Sequence, residues 1–453
     1  MSTTPVPRRS QSTSRPAAVN IGLGRAWPAI VGAVAVAVSA QLIGELDIPV
    51  GPAKIVIYPM VWGLIIAAVV SFQKAKPVGL MFQKVASALV GVAVMLLVAR
   101  LAFNIGPNLP LLRQAGPALL LQEIGHLVGT VALALPIAVL LRMGKATIGA
   151  TFSVDREPSF AMVSEKYGPD SDQYRGVLTM YVFGTLFGAL FISILTSLVI
   201  SLNWFSPLAL AMGAGVGSGS MLAASVASIV GAYPDQQSQI LGLSAISNLI
   251  TTVFGVYFGI WVALPLADRF YRFLTRNQTD AAASSAAAET DDQAEENRQF
   301  RRDVVEASTP VALPHWVSIP ALGVLGVATA SIAAKGFSVQ IVGGYLVLVA
   351  LLVLSTFLSK VVRRISAIVW ITTIGTLLSS PLVPFGADLA KLVASIDFLS
   401  IGTLALVCAG LSLGKELPLL KGVGWKIVPV GLVSITASFL LATAIAEFTL
   451  GIW

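Results

Sequence analysis

Apolar residues run along this chain in long blocks separated by short polar connections. The stretches 26–45, 50–72, 85–106, 117–142, 176–202, 238–267, 313–334, 338–359, 365–386, 396–413 and 425–449 are each apolar over most of their length. Most of them come near the ~20 residues that a helix needs to cross a bilayer. The pattern predicts an all-α polytopic membrane protein with eleven transmembrane helices. Two further apolar segments, 146–175 and 207–237, are interrupted by polar or glycine-rich centres. Two polar stretches complete the organisation. Residues 1–25 are Pro/Ser-rich and basic and read as a disordered cytoplasmic arm, and 268–312 is poor in apolar residues and mixed in charge, as a flexible cytoplasmic linker is. The linker divides an N-terminal membrane region, 26–267, from a C-terminal one, 313–453.

The interrupted segments resemble each other. The first leads through Tyr167-Gly168-Pro169-Asp170 to a helix carrying Val182-Phe183-Gly184 and Phe187-Gly188. The second leads through Tyr233-Pro234-Asp235 to a helix carrying Val253-Phe254-Gly255 and Phe258-Gly259. Upstream, "IGATFSVDREP" (148–158) aligns with "MGAGVGSGSML" (212–222). If each copy is a hairpin followed by one helix, the single span between them makes the copies opposite in orientation. The expectation is therefore an inverted repeat of two re-entrant hairpins whose tips meet at the midplane, a recurring design of secondary transporters. The competing reading of the glycines is close helix packing of the small-xxx-small kind.

Composition supports the membrane class. Of 453 residues, 56% are hydrophobic and 11% charged, where a soluble domain carries about 25% charge. Lys and Arg cluster on alternate connections: Arg8, Arg9, Arg15 and Arg25, then Lys74, Lys76 and Lys84, Arg142 and Lys145, Lys360, Arg363 and Arg364, and Lys415, Lys421 and Lys426. The positive-inside rule then gives a cytoplasmic N-terminus and an external C-terminus, in a bacterial plasma membrane, provided that the two broken segments both cross or both turn back. "AVSAQL" is faintly like a signal-peptidase site, but the run around it is nearly long enough to span, so an uncleaved first helix is favoured. The single Cys408 excludes an internal disulfide. The scattered basic residues offer no nucleic-acid face.

Candidate chemistry concentrates at the two breaks. "TFSVDREPSF" (151–160) places Asp155, Arg156 and Glu157 between apolar arms. There Arg156 suits a substrate carboxylate in a bidentate pair, and Asp155 or Glu157 a coupling ion or a substrate amine. The competing reading is a solvated cytoplasmic loop. Thr151 and Ser153 at this break, and Gly215, Gly217, Ser218, Gly219 and Ser220 at the other, are candidate substrate contacts. For the hydroxyls, bonding within their own helices is the plainer expectation. In the helix after the second break Ser244, Ser247 or Asn248, and Thr251 share one face, with Thr252 beside them. This stripe lines a pathway or glues helices together, and Asn248 and Thr251 are also candidates for the coupling ion. Glu123 and His126, one turn apart, are a proton relay or a solvated or structural pair; their position near the outer half favours the second. One His and one carboxylate do not make a metal site. Asp388, Lys391 and Asp397 read as outer-loop charges.

"GATFSVDREPSFAMVSEKYGPDSDQYRGV" resembles a signature of an uncharacterised bacterial membrane family, domain-of-unknown-function family 3100, over most of the chain outside the arm and the linker. The breaks are also distantly similar to the bacterial lysine exporter family. Gly215 and Gly217 match its glycine-serine turn, with Ser218 and Ser220 following sooner. Asn248 and Leu249 match the start of its second motif. Gly149, Ala150, Thr151, Ser153 and Asp155 match its third, with Phe152 inserted and the motif order reversed. The resemblance implies the wider superfamily of hairpin-type carriers of carboxylates and amino acids. The expected function is secondary transport of a small carboxylate or amino acid coupled to H+ or Na+, with no other cofactor. The expected partners are the bilayer and an anionic or zwitterionic small molecule, with a homodimer left open. A channel-like pore and a non-transporting partner subunit are the alternatives. An enzyme is not expected, since two histidines, one cysteine and no metal-ligand spacing leave no catalytic set visible.

Overall fold

The computed structural model describes residues 19–20, 23–50, 53–152, 158–168, 171–276, 295, 297–302, 311–362, 365–415 and 424–451. Helix α1, Leu23–Ile43, is followed by an antiparallel ribbon of β2, Leu46–Val50, and β3, Ala53–Ile57, and then by α2, Pro59–Phe72. A short parallel pair joins β1, Val19–Asn20, to β4, Val311–Ala312. Next come α3, Leu80–Ile105, and α4, Leu109–Gly129, joined by a 3-10 turn at Gly106–Asn108. A π-turn at Thr130–Ala134 leads on to α5, Leu135–Leu140.

Among the described residues, eight helical stretches are long and apolar enough to cross a bilayer, and one of these, Leu80–Leu140, contains α3, α4 and α5 together. The all-helical membrane architecture is thus as expected, but eleven full-length crossings go beyond what helix length supports. Helix α2 has 14 residues, about 21 Å at 1.5 Å per residue, against a hydrocarbon core of about 30 Å. The stretch 50–72 was expected to be wholly helical. Pro49, Pro52 and Pro59 deny its first part a helix, and β-branched Ile55, Val56 and Ile57 suit a strand. The stretch 365–386 shortens for a similar reason. Its helix stops at Ser379, just before Pro381 and Pro384.

The two broken segments share one order of elements. The first is α6, Ala146–Thr151, a break, α7, Pro158–Tyr167, then α8, Asp172–Phe183, a π-turn at Gly184–Gly188, and α9, Ala189–Ser201. The second is α10, Pro207–Ala214, a break, α11, Gly219–Ala232, then α12, Gln237–Phe258, a π-turn at Gly259–Ala263, and α13, Leu264–Thr275. Helices α6 and α8 touch backbone to backbone: a methyl at Gly149 would sit 1.8 Å from the Gln173 carbonyl oxygen, and one at Gly176 would sit 2.0 Å from that of Ala146. Helix α11 lies along α9 through a polar seam, Thr196 Oγ1 to Ser225 Oγ at 2.9 Å and Ser193 Oγ to Ser228 Oγ at 3.4 Å. The ribbon touches both of these helices near their C-terminal ends, since Ser197 donates to the Val56 carbonyl at 3.5 Å and the Tyr58 ring fills the space beside Gly231.

The C-terminal half adds α14, His315–Ala333, α15, Val339–Val361, α16, Ala367–Ser379, α17, Gly386–Ala394, α18, Phe398–Ser412, and α19, Ile427–Leu450. It does not stand apart as a second bundle. Helix α18 packs into α2 and α3, and α19 packs along α4 and α10. Glycines make these approaches possible: a methyl at Gly410 would lie 2.7 Å from the Leu64 carbonyl, and one at Gly125 would lie 2.6 Å from that of Leu441. Arg100 is buried in α3 and donates to the Ile396 carbonyl at 3.1 Å. The adjacent Asp397, expected to be an outer-loop charge, instead caps α18 by accepting the Ser400 N–H at 2.8 Å.

Part of the segment expected to be a flexible linker is ordered. Helix α13 continues to Thr275, and residues 297–302 form a short helix against α8. There Asn297 donates to Asp172 at 3.0 Å, Arg175 donates to Asn297 at 3.1 Å, and Phe300 is buried beside Leu178, Val182 and Leu413.

Candidate functional site

The second break is held open by the helix that follows it. Asn248 Nδ2 donates to the carbonyls of Gly215 and Gly217, at 2.9 and 3.0 Å. Ser247 donates to the Met212 carbonyl at 2.7 Å and accepts from Gln122 at 2.6 Å. The end of α10 tightens, with the Gly215 N–H donating to the Met212 carbonyl at 3.0 Å, and the Ser247 and Asn248 side chains add donors for the carbonyls of the stopping helix and the break. None of the glycines from 213 to 219 adopts a positive φ. What Gly215 provides is proximity, because a methyl there would lie 2.2 Å from Ser247 Oγ. Gly213 is confined in the same way against α19, where a methyl would meet Thr443 Oγ1 at 2.0 Å. Close packing and a shaped break are therefore one feature at this site, not competing readings.

Beyond the break, Ser218 takes an extended conformation and starts α11, and its side chain does not cap the helix. Ser218, Gly219 and Ser220 face a cavity of about 480 Å³. On either side of the first break, Phe152 before it and Ser159 and Met162 after it stand in the wall of the same space. Ser159 belongs to the first turn of α7; it is 1% exposed, and its hydroxyl has no hydrogen-bond partner among the described residues. The first turns of α7 and α11 thus share one cavity. Met162 lies beside Gly259, while the second break lies beside Ser247 and Asn248, about 16 Å earlier along the same helical run. Two tips meeting at the midplane were expected; the tip of the first segment lies outside the described residues.

The rest of the wall comes from other elements, among them α4 and α12, whose His126 and Thr251 the sequence singled out, and the end of α18, which it did not. Lys415, just past α18, faces the cavity and donates to Ser87 of α3 at 2.8 Å. His126 of α4 faces it too, with its Nδ1 hydrogen-bonded to Ser438 of α19. Thr251 and Thr252 line it from α12, and Thr251 also donates to the buried carboxylate of Glu123. Val90, Val94, Leu127, Ile368 and Leu413 supply apolar surface. Among the described residues, no three His, Cys, Asp or Glu side chains gather as a metal site.

The expected site residues divide accordingly. Ser218, Gly219, Ser220 and Thr251 line the cavity. Gly215, Gly217, Ser247 and Asn248 shape the break behind it. Thr151 and Ser244 bond within their own helices, to the Thr147 and Leu241 carbonyls at 2.9 and 3.1 Å. Ser153, Asp155, Arg156 and Glu157 lie outside the described residues. Glu123 and His126, expected to be a solvated or structural pair, are 1% and 3% exposed and so not solvated. Lys415 went unnoticed because it counted only as one more basic residue of an inside connection, and nothing local to "SLGKEL" tells a cavity wall from a loop.

The family described as "Protein of unknown function (DUF3100)" matches residues 38–273, more than half of the chain and including both breaks. The match ends before the C-terminal membrane region, so it covers less than the signature suggested. No curated protein and no solved structure matches the chain. The likeness to lysine exporters and hairpin-type carriers therefore rests on the quoted residues alone.

Proposed function

The chain belongs to the DUF3100 family, and we propose that it is a secondary active transporter of a small carboxylate or amino acid, coupled to H+ or Na+. One observation carries the reading: the first turns of the helices that follow the two breaks, α7 and α11, stand in the wall of one cavity of about 480 Å³. Free amides at a helix start attract anions. Lys415 adds a positive charge, Ser159 an unused hydroxyl, and the apolar wall a place for a short carbon skeleton. The volume suits a small ligand. Asp155, Arg156 and Glu157 belong by sequence to the first break and remain the candidates for a substrate carboxylate and a coupling ion.

The same reading takes 146–175 and 207–237 as re-entrant hairpins of opposite orientation, in a bacterial plasma membrane with the N-terminus inside. In its support, Ala146 and Gly176, at the two ends of the first segment, touch. The ribbon likewise touches Ser197, shortly before the second segment starts, and Gly231, near where it ends. In a Cys408-free variant, single cysteines from Lys166 to Arg175 are expected to label from the cytoplasm and those from Pro234 to Gln237 from outside. Labelling of both loops from one side removes the inverted arrangement.

The function itself is tested by thermal unfolding of the detergent-purified protein over a panel of organic and amino acids, with and without Na+. A ligand that binds the folded state stabilises it, by about 2.7 kcal/mol at a hundred times its dissociation constant, and so raises the midpoint. The expected result is a shift for a subset of carboxylates, followed by uptake of the same compounds into liposomes. No shift across the panel, together with no uptake, overturns the reading.

A further inference from the structure

Resting on the transport reading, we infer that the coupled ion is a proton and that Glu123 and His126 form its site. Both side chains project from one face of α4, one turn apart, and both are buried. His126 stands in the cavity wall, and so does Thr251, whose hydroxyl donates to the Glu123 carboxylate. A proton in cavity water is therefore separated from Glu123 by one hydroxyl, that of Thr251, with His126 one turn further along the same helix as Glu123. The pair is also joined to the second break. Thr251 donates to the Ser247 carbonyl at 3.0 Å, and Ser247 bridges Gln122 of α4 to the Met212 carbonyl at the end of α10. Charge gained or lost at Glu123 acts on the face of α12 that holds the break, which is where a substrate would bind.

The surroundings favour a proton over sodium. An imidazole with hydroxyl partners is donor and acceptor chemistry, whereas hard cations take oxygen ligands. The elements packed against α4 are α10, α12, α19, the turns at Gly106–Asn108 and Gly259–Ala263, and its own continuation at Thr130–Ala134. Their titratable groups are Tyr257, exposed near the end of α12, and Glu447, which holds Ser206 at the far end of α19. Arg113 lies near the start of α4, and Lys415 and Tyr181 line the same cavity.

The full-length protein in liposomes tests this with two readouts. Infrared spectra across pH should show a protonated-carboxyl band that titrates in the wild type and is lost in Glu123→Gln. His126→Gln, which keeps a partner for Ser438, should move that titration without removing the band. A wild type with no such band, or one that Glu123→Gln leaves intact, overturns the site. In liposomes loaded with a pH dye, inward gradients of succinate or glutamate should carry protons in the wild type, whereas Glu123→Gln should exchange the same probe without moving protons. Probe uptake unaccompanied by protons in the wild type overturns the coupling and leaves the transport reading standing. If neither probe crosses, the infrared readout still decides the proton site, while the transport reading is judged on the wider panel.

Discussion

Asn248→Asp is expected to abolish ligand binding while Asn248→Ala weakens it, although aspartate is the closer match in shape. The Asn248 amide nitrogen donates to two carbonyls, those of Gly215 and Gly217. Alanine leaves both without that donor, at about 1–3 kcal/mol for a buried group and less here because Asn248 is only half-buried. Aspartate turns the donor into an acceptor and aims a negative charge at two carbonyl oxygens, so the break must reshape or the side chain must leave. Low pH returns one donor to the aspartate, so partial recovery on acidification is part of the expectation. Thermal stability and ligand-induced shift, measured for both variants between neutral and acidic pH, check it. Equal behaviour of the two variants would mean that Asn248 does not shape the break.

Lys415→Met is the second large effect. If the cavity holds a carboxylate, the ammonium that also bonds Ser87 is the described cation best placed to meet it. Its loss should cost about 2 kcal/mol, the low end for a desolvated charge pair because the cavity admits water, or roughly thirtyfold in affinity. Lys415→Arg should retain more than Lys415→Met, and added salt should weaken the wild type more than the methionine variant. Isothermal titration with a carboxylate identified by the thermal panel measures all three. Unchanged affinity in Lys415→Met would take the anion out of this part of the cavity. A fold defect is recognised separately, as a lowered unfolding midpoint in the absence of ligand.

Much of the fold was legible because a bilayer imposes it. Backbone polar groups in hydrocarbon must bond within their own segment, so the apolar blocks had to be helices, and their approximate positions followed from length. The order of elements in the two broken segments was legible for a related reason: glycine, proline and charge inside an apolar run mark where a helix stops. Residues that shape the second break, Gly215 and Asn248, could be named because their types are unusual at those places.

What the sequence could not supply depends on partners far along the chain. Arg100 meets Ile396, Lys415 meets Ser87, and His126 meets Ser438. In each case the helices involved are separated by hundreds of residues, and no local pattern reports the contact. The difference between Ser218, which faces the cavity, and Ser244, which bonds its own helix, is likewise one of helix rotation against neighbours. Even the purpose of the glycines changed: at Gly215 the constraint is a methyl-sized space against Ser247, not a backbone angle. The sequence by itself determined a multi-helix membrane protein with two broken segments, because hydrophobicity and helix stops act locally. Only the tertiary structure decided that the helices after both breaks share one cavity with Lys415, Thr251 and His126 in its wall, because that is settled by which side chains distant helices bring within reach of one another.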